Sequence, residues 1–149
     1  MKLAIVISRF NPEVTTGLLQ GAQDYLQGKN QRISEEDVFW VPGAFEIPLV
    51  AQALVKTQKY SGIICLGCVI QGDTAHFEFI SLGTTVGLMQ SMLSTQTPLA
   101  FGLLTTYNDE QALDRSRQNA QNKGKEAAAA CLETAELLLK ISGETGKMK

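Results

Sequence analysis

Four short, nearly unbroken apolar runs alternate along this chain with stretches whose apolar residues repeat at helical spacing, and this alternation limits the fold more than any other feature. The first run is residues 2–8, KLAIVIS. Asn11 follows as a candidate N-cap with Pro12 in the first helical position, and Gly28 is the expected helix end. Between them Leu18, Leu19, Ala22, Tyr25 and Leu26 recur on one face. Residues 37–41 form the second run, closed by a Pro42-Gly43 turn, and Ile47, Val50, Ala51, Leu54 and Val55 then repeat at the helical period. Residues 62–70 are the third run. Gln71-Gly72-Asp73 turns the chain, and Asp73 or Thr74 is placed to cap a long helix over 75–93. The fourth run is 99–105. Asn108-Asp109-Glu110-Gln111 reads as a capping box for a short helix. A last helix is expected from about Asn122 to Ile141, and the polar tail 142–149 is expected to fray.

A strand with one face in water alternates apolar and polar residues. These runs do not alternate, so both faces of the sheet must be covered, and strands joined through helices run parallel. The expected fold class is α/β: a three-layer α/β/α sandwich around a four-stranded parallel sheet, flavodoxin-like, with right-handed crossovers. No repeat or linker divides the 149 residues, which suit one domain spanning 1–149.

The net charge of −2 carries no basic excess, so a nucleic-acid partner is not expected. No apolar run nears the roughly 20 residues that cross a bilayer. Arg9 interrupts the apolar start, and no small-residue cleavage site follows. No membrane partner and a cytoplasmic location are the expectation. Three cysteines, an odd count, fit a reducing compartment. Cys65 and Cys68 spell C-x-x-C, but residues three apart on a strand face opposite ways. They read as two core thiols, not as a zinc or redox site; Cys131 is far off in the last helix, and no metal site is expected.

In open parallel sheets ligands bind outside the carboxyl ends of the strands. Arg9-Phe10-Asn11 follows the first strand, Gly43-Ala44-Phe45-Glu46 the second, and residues 71–76, ending in His76, the third. Phe101 lies within the fourth strand. Aromatic rings, a carboxylate, the only histidine and a helix start thus share one edge, which suits a flat aromatic ligand plus an anion. Each residue also has a plain structural use. Phe10 and Phe45 can close the core, Glu46 meets a helix dipole, Gly72-Asp73-Thr74 makes an ordinary turn, and Arg115 is a solvated charge.

Taken in order, these stretches resemble the lumazine synthase family: Arg9-Phe10-Asn11; Val41-Pro42-Gly43-Ala44-Phe45-Glu46-Ile47-Pro48; Gly67-x-Val69-Ile70-x-Gly72-x-Thr74-x-His76; Phe101-Gly102-x-Leu104-Thr105-Thr106 with Glu110-Gln111-Ala112; and Asn122-Lys123-Gly124. The resemblance implies condensation of 5-amino-6-(D-ribitylamino)uracil with 3,4-dihydroxy-2-butanone 4-phosphate, with no metal or organic cofactor. It implies Phe10 against the pyrimidine; Ala44, Phe45 and Glu46 along the same substrate; and the backbone of Cys68, Val69 and Ile70 facing it. It also implies Asp73, Thr74 and Arg115 at the phosphate, His76 as the proton-transfer residue, and Phe101 serving a neighbouring subunit's site. The partners implied are small-molecule substrates and copies of the chain, as a homopentamer or a sixty-subunit shell, with riboflavin synthase as a candidate guest.

The chain departs from that pattern at three places. Gln71 and Asn119 stand where basic residues are usual in the family, which removes positive charge near the phosphate end. The first strand begins at residue 2, whereas relatives often carry a segment before it that pairs with an adjacent subunit. The rival readings are a non-catalytic lumazine- or flavin-binding or shell-forming family member, a riboflavin synthase of the related archaeal type, and a flavin electron carrier. The last would need a Ser/Thr/Gly-rich phosphate loop where this chain has Arg9-Phe10-Asn11-Pro12-Glu13.

Overall fold

The computed structural model describes residues 1–143. Among them the strands are β1 (Leu3–Ser8), β2 (Val38–Val41), β3 (Gly62–Ile70) and β4 (Leu99–Thr106). The helices are α1 (Pro12–Gly28), α2 (Ile47–Lys56), α3 (His76–Thr95), α4 (Asp109–Asp114) and α5 (Lys123–Ser142). All strand pairings are parallel, in the order β2-β1-β3-β4. Every residue of β1 is buried, as an inner strand covered on both faces requires. On one face Leu3, Ile5 and Ile7 meet Leu18, Ala22 and Leu26 of α1 and Ala128, Cys131 and Leu132 of α5. On the other, Ala4, Val6, Ile63 and Cys65 meet Ile47, Ala51 and Val55 of α2 and Leu88 of α3. The expected three-layer sandwich is therefore the fold, and Cys65 and Cys68 fall on opposite faces as strand periodicity requires.

Several local expectations are corrected. Asn11 does stand before α1, but at φ 57°, and its side chain does not cap the helix. Its Nδ2 instead donates to the Cys68 carbonyl, 3.1 Å away across the sheet edge. Gly28 is the last residue of α1, as expected, and Asn30 beyond it takes the left-handed conformation at φ 58°, which an asparagine tolerates. Neither Asp73 nor Thr74 caps α3 in the usual way. Ala75 is the N-cap, and Thr74 Oγ1 only accepts a long 3.4 Å bond from the His76 N–H. The box at α4 is shifted: Asn108 accepts from Gln111 N at 2.8 Å, but Gln111 reaches back to the Tyr107 N–H instead of that of Asn108. At the far end, α5 runs through Ser142 and closes on left-handed Gly143, so Ser142 belongs to the helix and not to the expected tail; 144–149 lie outside the described residues.

The second strand is also shorter than expected, because Glu35–Asp37 forms a tight 3-10 turn. Asp37 has turned inward there, and three donors reach it: Lys2 Nζ and Tyr60 Oη at 2.8 Å and Ser34 Oγ at 2.9 Å. Burial alone would push its carboxyl up, but the hydrogen bonds from Lys2, Tyr60 and Ser34 outweigh that and hold it below the usual range. A depressed folded value means the stabilisation is present above the unfolded carboxylate value of about 4 and is lost as pH falls through the folded one. Asp37→Asn is therefore expected to lower stability by about 1–2 kcal/mol at pH 7, with the gap from the parent closing on acidification. Denaturant midpoints at both pH values check this, and a gap that widens in acid would contradict it.

Two helices that flank one face approach unusually closely. A Cβ on Gly124 of α5 would fall within the Leu18 carbonyl of α1, and one on Gly17 within that of Ser116. The missing Cβ at Gly124 lets α1 and α5 pack backbone to backbone, and the one at Gly17 admits the connection before α5.

Candidate functional site

The chain leaves β1 in one direction to form β2 and returns past it to form β3. The crevice between the carboxyl ends of β1 and β3 is thus the topological switch point, where ligands bind in this architecture. A cleft of about 360 Å³ opens there. Its walls are Phe10 and Asn11 after β1, Gly43, Ala44, Phe45 and Glu46 after β2, Cys68, Val69 and Ile70 at the end of β3, and His76 and Ile80 on α3. A wider groove, about 590 Å³, lies between α1 and residues 118–125. No strand end reaches it, so the switch-point cleft is the candidate site.

The cleft is held by short polar links. The Arg9 N–H donates to the Val41 carbonyl at 2.9 Å, joining the ends of β1 and β2. Asn11 Nδ2 joins the loop after β1 to Cys68 of β3. Glu46 Oε2 accepts from the Gly43 N–H at 3.0 Å, which leaves its other oxygen for a ligand. Glu46 belongs to a 3-10 turn, Ala44–Glu46, and not to the first turn of α2, so that hydrogen bond, more than the dipole of α2, fixes it. A Cβ on Gly43 would come within 3.1 Å of Glu46 Oε2 and 3.5 Å of the Phe10 ring, so the glycine is what lets ring and carboxylate share one wall. Phe10 and Phe45 are 69% and 59% exposed, far too open for core residues, which decides against the plain structural reading of both. Phe45 packs against Gly83 of α3 along one ring edge.

The thiol of Cys68 is pushed up to about 12, first by burial and then by the Asp109 charge. It is therefore no nucleophile at neutral pH. The same holds for Cys131, raised to about 12 by burial, and for Cys65, raised further. What β3 offers the cleft is backbone and apolar surface. Among the described residues no group of three His, Cys, Asp or Glu side chains is arranged to hold a metal ion, and no helix is long and apolar enough to cross a membrane.

Eight residues singled out in the sequence line this one cleft: Phe10, Ala44, Phe45, Glu46, Cys68, Val69, Ile70 and His76. Asp73 and Thr74 sit exposed in the turn leading to α3 and do not line it. Arg115 lies at the end of α4, exposed, with Nη1 donating to the Gln111 carbonyl at 2.9 Å. Phe101 is on β4, half exposed, beside a small apolar crevice formed with Leu88, Met89 and Met92. Within one chain, then, the aromatic end of the site is assembled, and Phe101 and Arg115 stand apart from it. Sequence reasoning missed Asn11 and Ile80 as lining residues. Ile80 follows His76 by one helical turn, a spacing that places both on one face.

The comparisons with known proteins agree with this geometry. The family described as 6,7-dimethyl-8-ribityllumazine synthase matches residues 1–139. The chain is 57% identical over 140 residues to 6,7-dimethyl-8-ribityllumazine synthase 1 of Caulobacter vibrioides, covering 94% of this chain and 92% of that one. It is 46% identical over 137 residues to 6,7-dimethyl-8-ribityllumazine synthase of Lactiplantibacillus plantarum, covering 92% and 86%. The chain belongs to the 6,7-dimethyl-8-ribityllumazine synthase family, transferases of riboflavin biosynthesis.

Proposed function

We propose that this chain condenses 5-amino-6-(D-ribitylamino)uracil with 3,4-dihydroxy-2-butanone 4-phosphate to give 6,7-dimethyl-8-ribityllumazine, phosphate and water. The observation that carries the reading is the convergence of eight resemblance-implied residues, from four separate segments, on one cleft at the switch point. The pyrimidine stacks by Phe10, with the free oxygen of Glu46 on ribityl hydroxyls and the ends of β3 against the ring. The pyrimidine amine attacks the ketone, water leaves, and an imine forms. Phosphate is then eliminated, and closure of the second ring expels another water. Each step moves a proton, and an imidazole can give and take one near neutral pH, which is the role of His76 at the cleft wall. The start of α3, with Asp73 and Thr74, and the Arg115 guanidinium serve the departing phosphate. Juxtaposing two inherently reactive partners supplies much of the rate.

A homopentamer is the proposed minimum active unit, built by head-to-tail contacts that close into a ring. Two features support it. Phe101 stands outside its own chain's cleft and is free to complete a neighbour's. The outer face of α3 presents Phe79, Leu82, Val86, Met89 and Leu93, a row of large apolar residues that a lone chain would leave in water. The small residues of α3 serve the chain itself. Gly83 and Gly87 make room for Phe45 and Pro48 of the same chain, and Thr84 and Ser91 are buried. It is the large residues that remain for a neighbour. Pentamers joining into a sixty-subunit shell, and riboflavin synthase as its guest, are further parts of this reading.

The test is an assay with both substrates, watched by lumazine fluorescence, on fractions of known mass from light scattering. Lumazine is expected only when both substrates are present and only in multi-subunit fractions. Full activity at the mass of one subunit would refute the shared site. A folded protein that binds lumazine without forming it would be a non-catalytic member, and one that makes riboflavin from lumazine alone would be the archaeal-type synthase.

A further inference from the structure

We propose that Asn122 is a positioning residue that sets where the Arg115 guanidinium is presented, an inference that rests on the phosphate role given to Arg115 above. Asn122 is only 1% exposed, although it sits in the short connection between α4 and α5. Both of its donor hydrogens are engaged. The two Nδ2 hydrogens are shared among the carbonyls of Gly17 at 3.1 Å, Ser116 at 3.0 Å and Arg117 at 2.9 Å, and Oδ1 accepts from the Lys125 N–H at 3.0 Å. The next residue continues the clamp: the Lys123 N–H donates to the carbonyl of Arg115 itself at 2.9 Å. The backbone of 115–117 is thereby pinned carbonyl by carbonyl.

The receiving surface is shaped for this group. Gly17 and Gly21 lie one turn apart on α1. A Cβ on Gly21 would collide with the Asn122 carboxamide, and one on Gly17 with the Ser116 carbonyl. Helix α1 starts directly after Phe10 and Asn11, which form one wall of the cleft. The clamp therefore references Arg115 to the same rigid element that carries the aromatic end of the site.

Capping α5 needs far less than this. A cap uses one side-chain oxygen, and Asp or Ser would supply it equally well. The three donor contacts are what only an amide adds, because a carboxylate has no hydrogen to give. Asn122→Asp therefore separates the two roles. It keeps the acceptor for Lys125 and turns the three carbonyls toward a repelling carboxylate.

The experiment compares the assembled parent with Asn122→Asp, Arg115→Ala and the double variant. KM is measured for each substrate, together with Kd for inorganic phosphate. Asn122→Asp is expected to raise KM for the butanone phosphate and Kd for phosphate by about tenfold, since small misplacements of a binding group cost on that scale. KM for the pyrimidine should stay within about twofold. The double variant should be no worse than Arg115→Ala alone, the non-additivity of residues acting as one unit. Exposed Gln118 also donates to the Gly17 and Ser116 carbonyls, at 2.9 Å and 3.3 Å. Gln118→Ala should give a smaller loss, about twofold to threefold, in the same direction, and it decides the matter if Asn122→Asp does not fold. Additive losses, equal losses for both substrates, or unmoved phosphate binding would make Asn122 a structural residue only. If Arg115→Ala weakens phosphate use while Asn122→Asp and Gln118→Ala are silent, this inference alone is overturned. An Arg115→Ala enzyme with normal phosphate binding overturns the Arg115 reading and this inference with it.

Discussion

Gly124→Ala is expected to lose at least about 3 kcal/mol of stability, at or above the upper end of ordinary overpacking. Native domains hold only about 5–15 kcal/mol in all, so little folded protein should accumulate. The reason is what the added methyl meets. It would fall on the carbonyl oxygen, carbonyl carbon and Cα of Leu18, all backbone, none of which can rotate away as a side-chain tip can. Relief requires α1 and α5 to separate, and that would open the layer in which Leu18 and Ala22 meet Ala128 and Leu132. Gly28→Ala is the control, since nothing lies within 4 Å of a Cβ there. It should be neutral or slightly stabilising, within about 1 kcal/mol. Thermal midpoints of the two variants measure the contrast, and matching midpoints would mean that the helices are not as close as described.

His76→Ala is expected to lower kcat by roughly tenfold to a hundredfold while leaving the fold intact. General acid–base help is commonly worth about 10²–10⁴-fold. Part of this condensation proceeds between its partners unaided, which places the loss at or below the low end of that range. His76 is exposed at the first turn of α3, where its backbone N–H makes a long 3.4 Å bond to Thr74 Oγ1, so its removal disturbs little packing. Single-turnover rates at saturating substrates, with a melting curve as control, test this. A folded variant with undiminished turnover would remove His76 from the chemistry.

Much of the fold was legible because two of the strands, β1 and β3, are inner strands covered on both faces. Continuous apolar runs such as residues 62–70 admit few other readings, and β3 spans Gly62–Ile70 as expected. The helix ends were less legible, because side chains that can cap also have better things to do. Asn11 reaches across to Cys68, and Asp37 turns in to meet Lys2, Tyr60 and Ser34. Such long-range partners leave no periodic trace. The cleft was legible in outline, since the rule of carboxyl ends gathers Phe10, Phe45, Glu46 and His76 without any contact being known. Phe101 and Arg115 could not be placed by the same rule. They lie outside the cleft of their own chain. The close approach at Gly17 and Gly21 was not read from the sequence, since nothing in the spacing names the Ser116 carbonyl or the Asn122 carboxamide that they accommodate.

The Lys2, Asp37 and Tyr60 cluster lies at the amino end of the sheet, where β1 begins at Leu3 and β2 at Val38, whereas the cleft opens at the carboxyl end. A stabilising polar cluster and the candidate site thus lie at opposite poles of the same strands. Substitutions that tighten the amino pole can accumulate without touching a substrate, and drift in substrate preference at the other pole can draw on the reserve they create. A sheet arranged this way can explore new ligands with less risk of unfolding than one in which the same residues had to serve both ends.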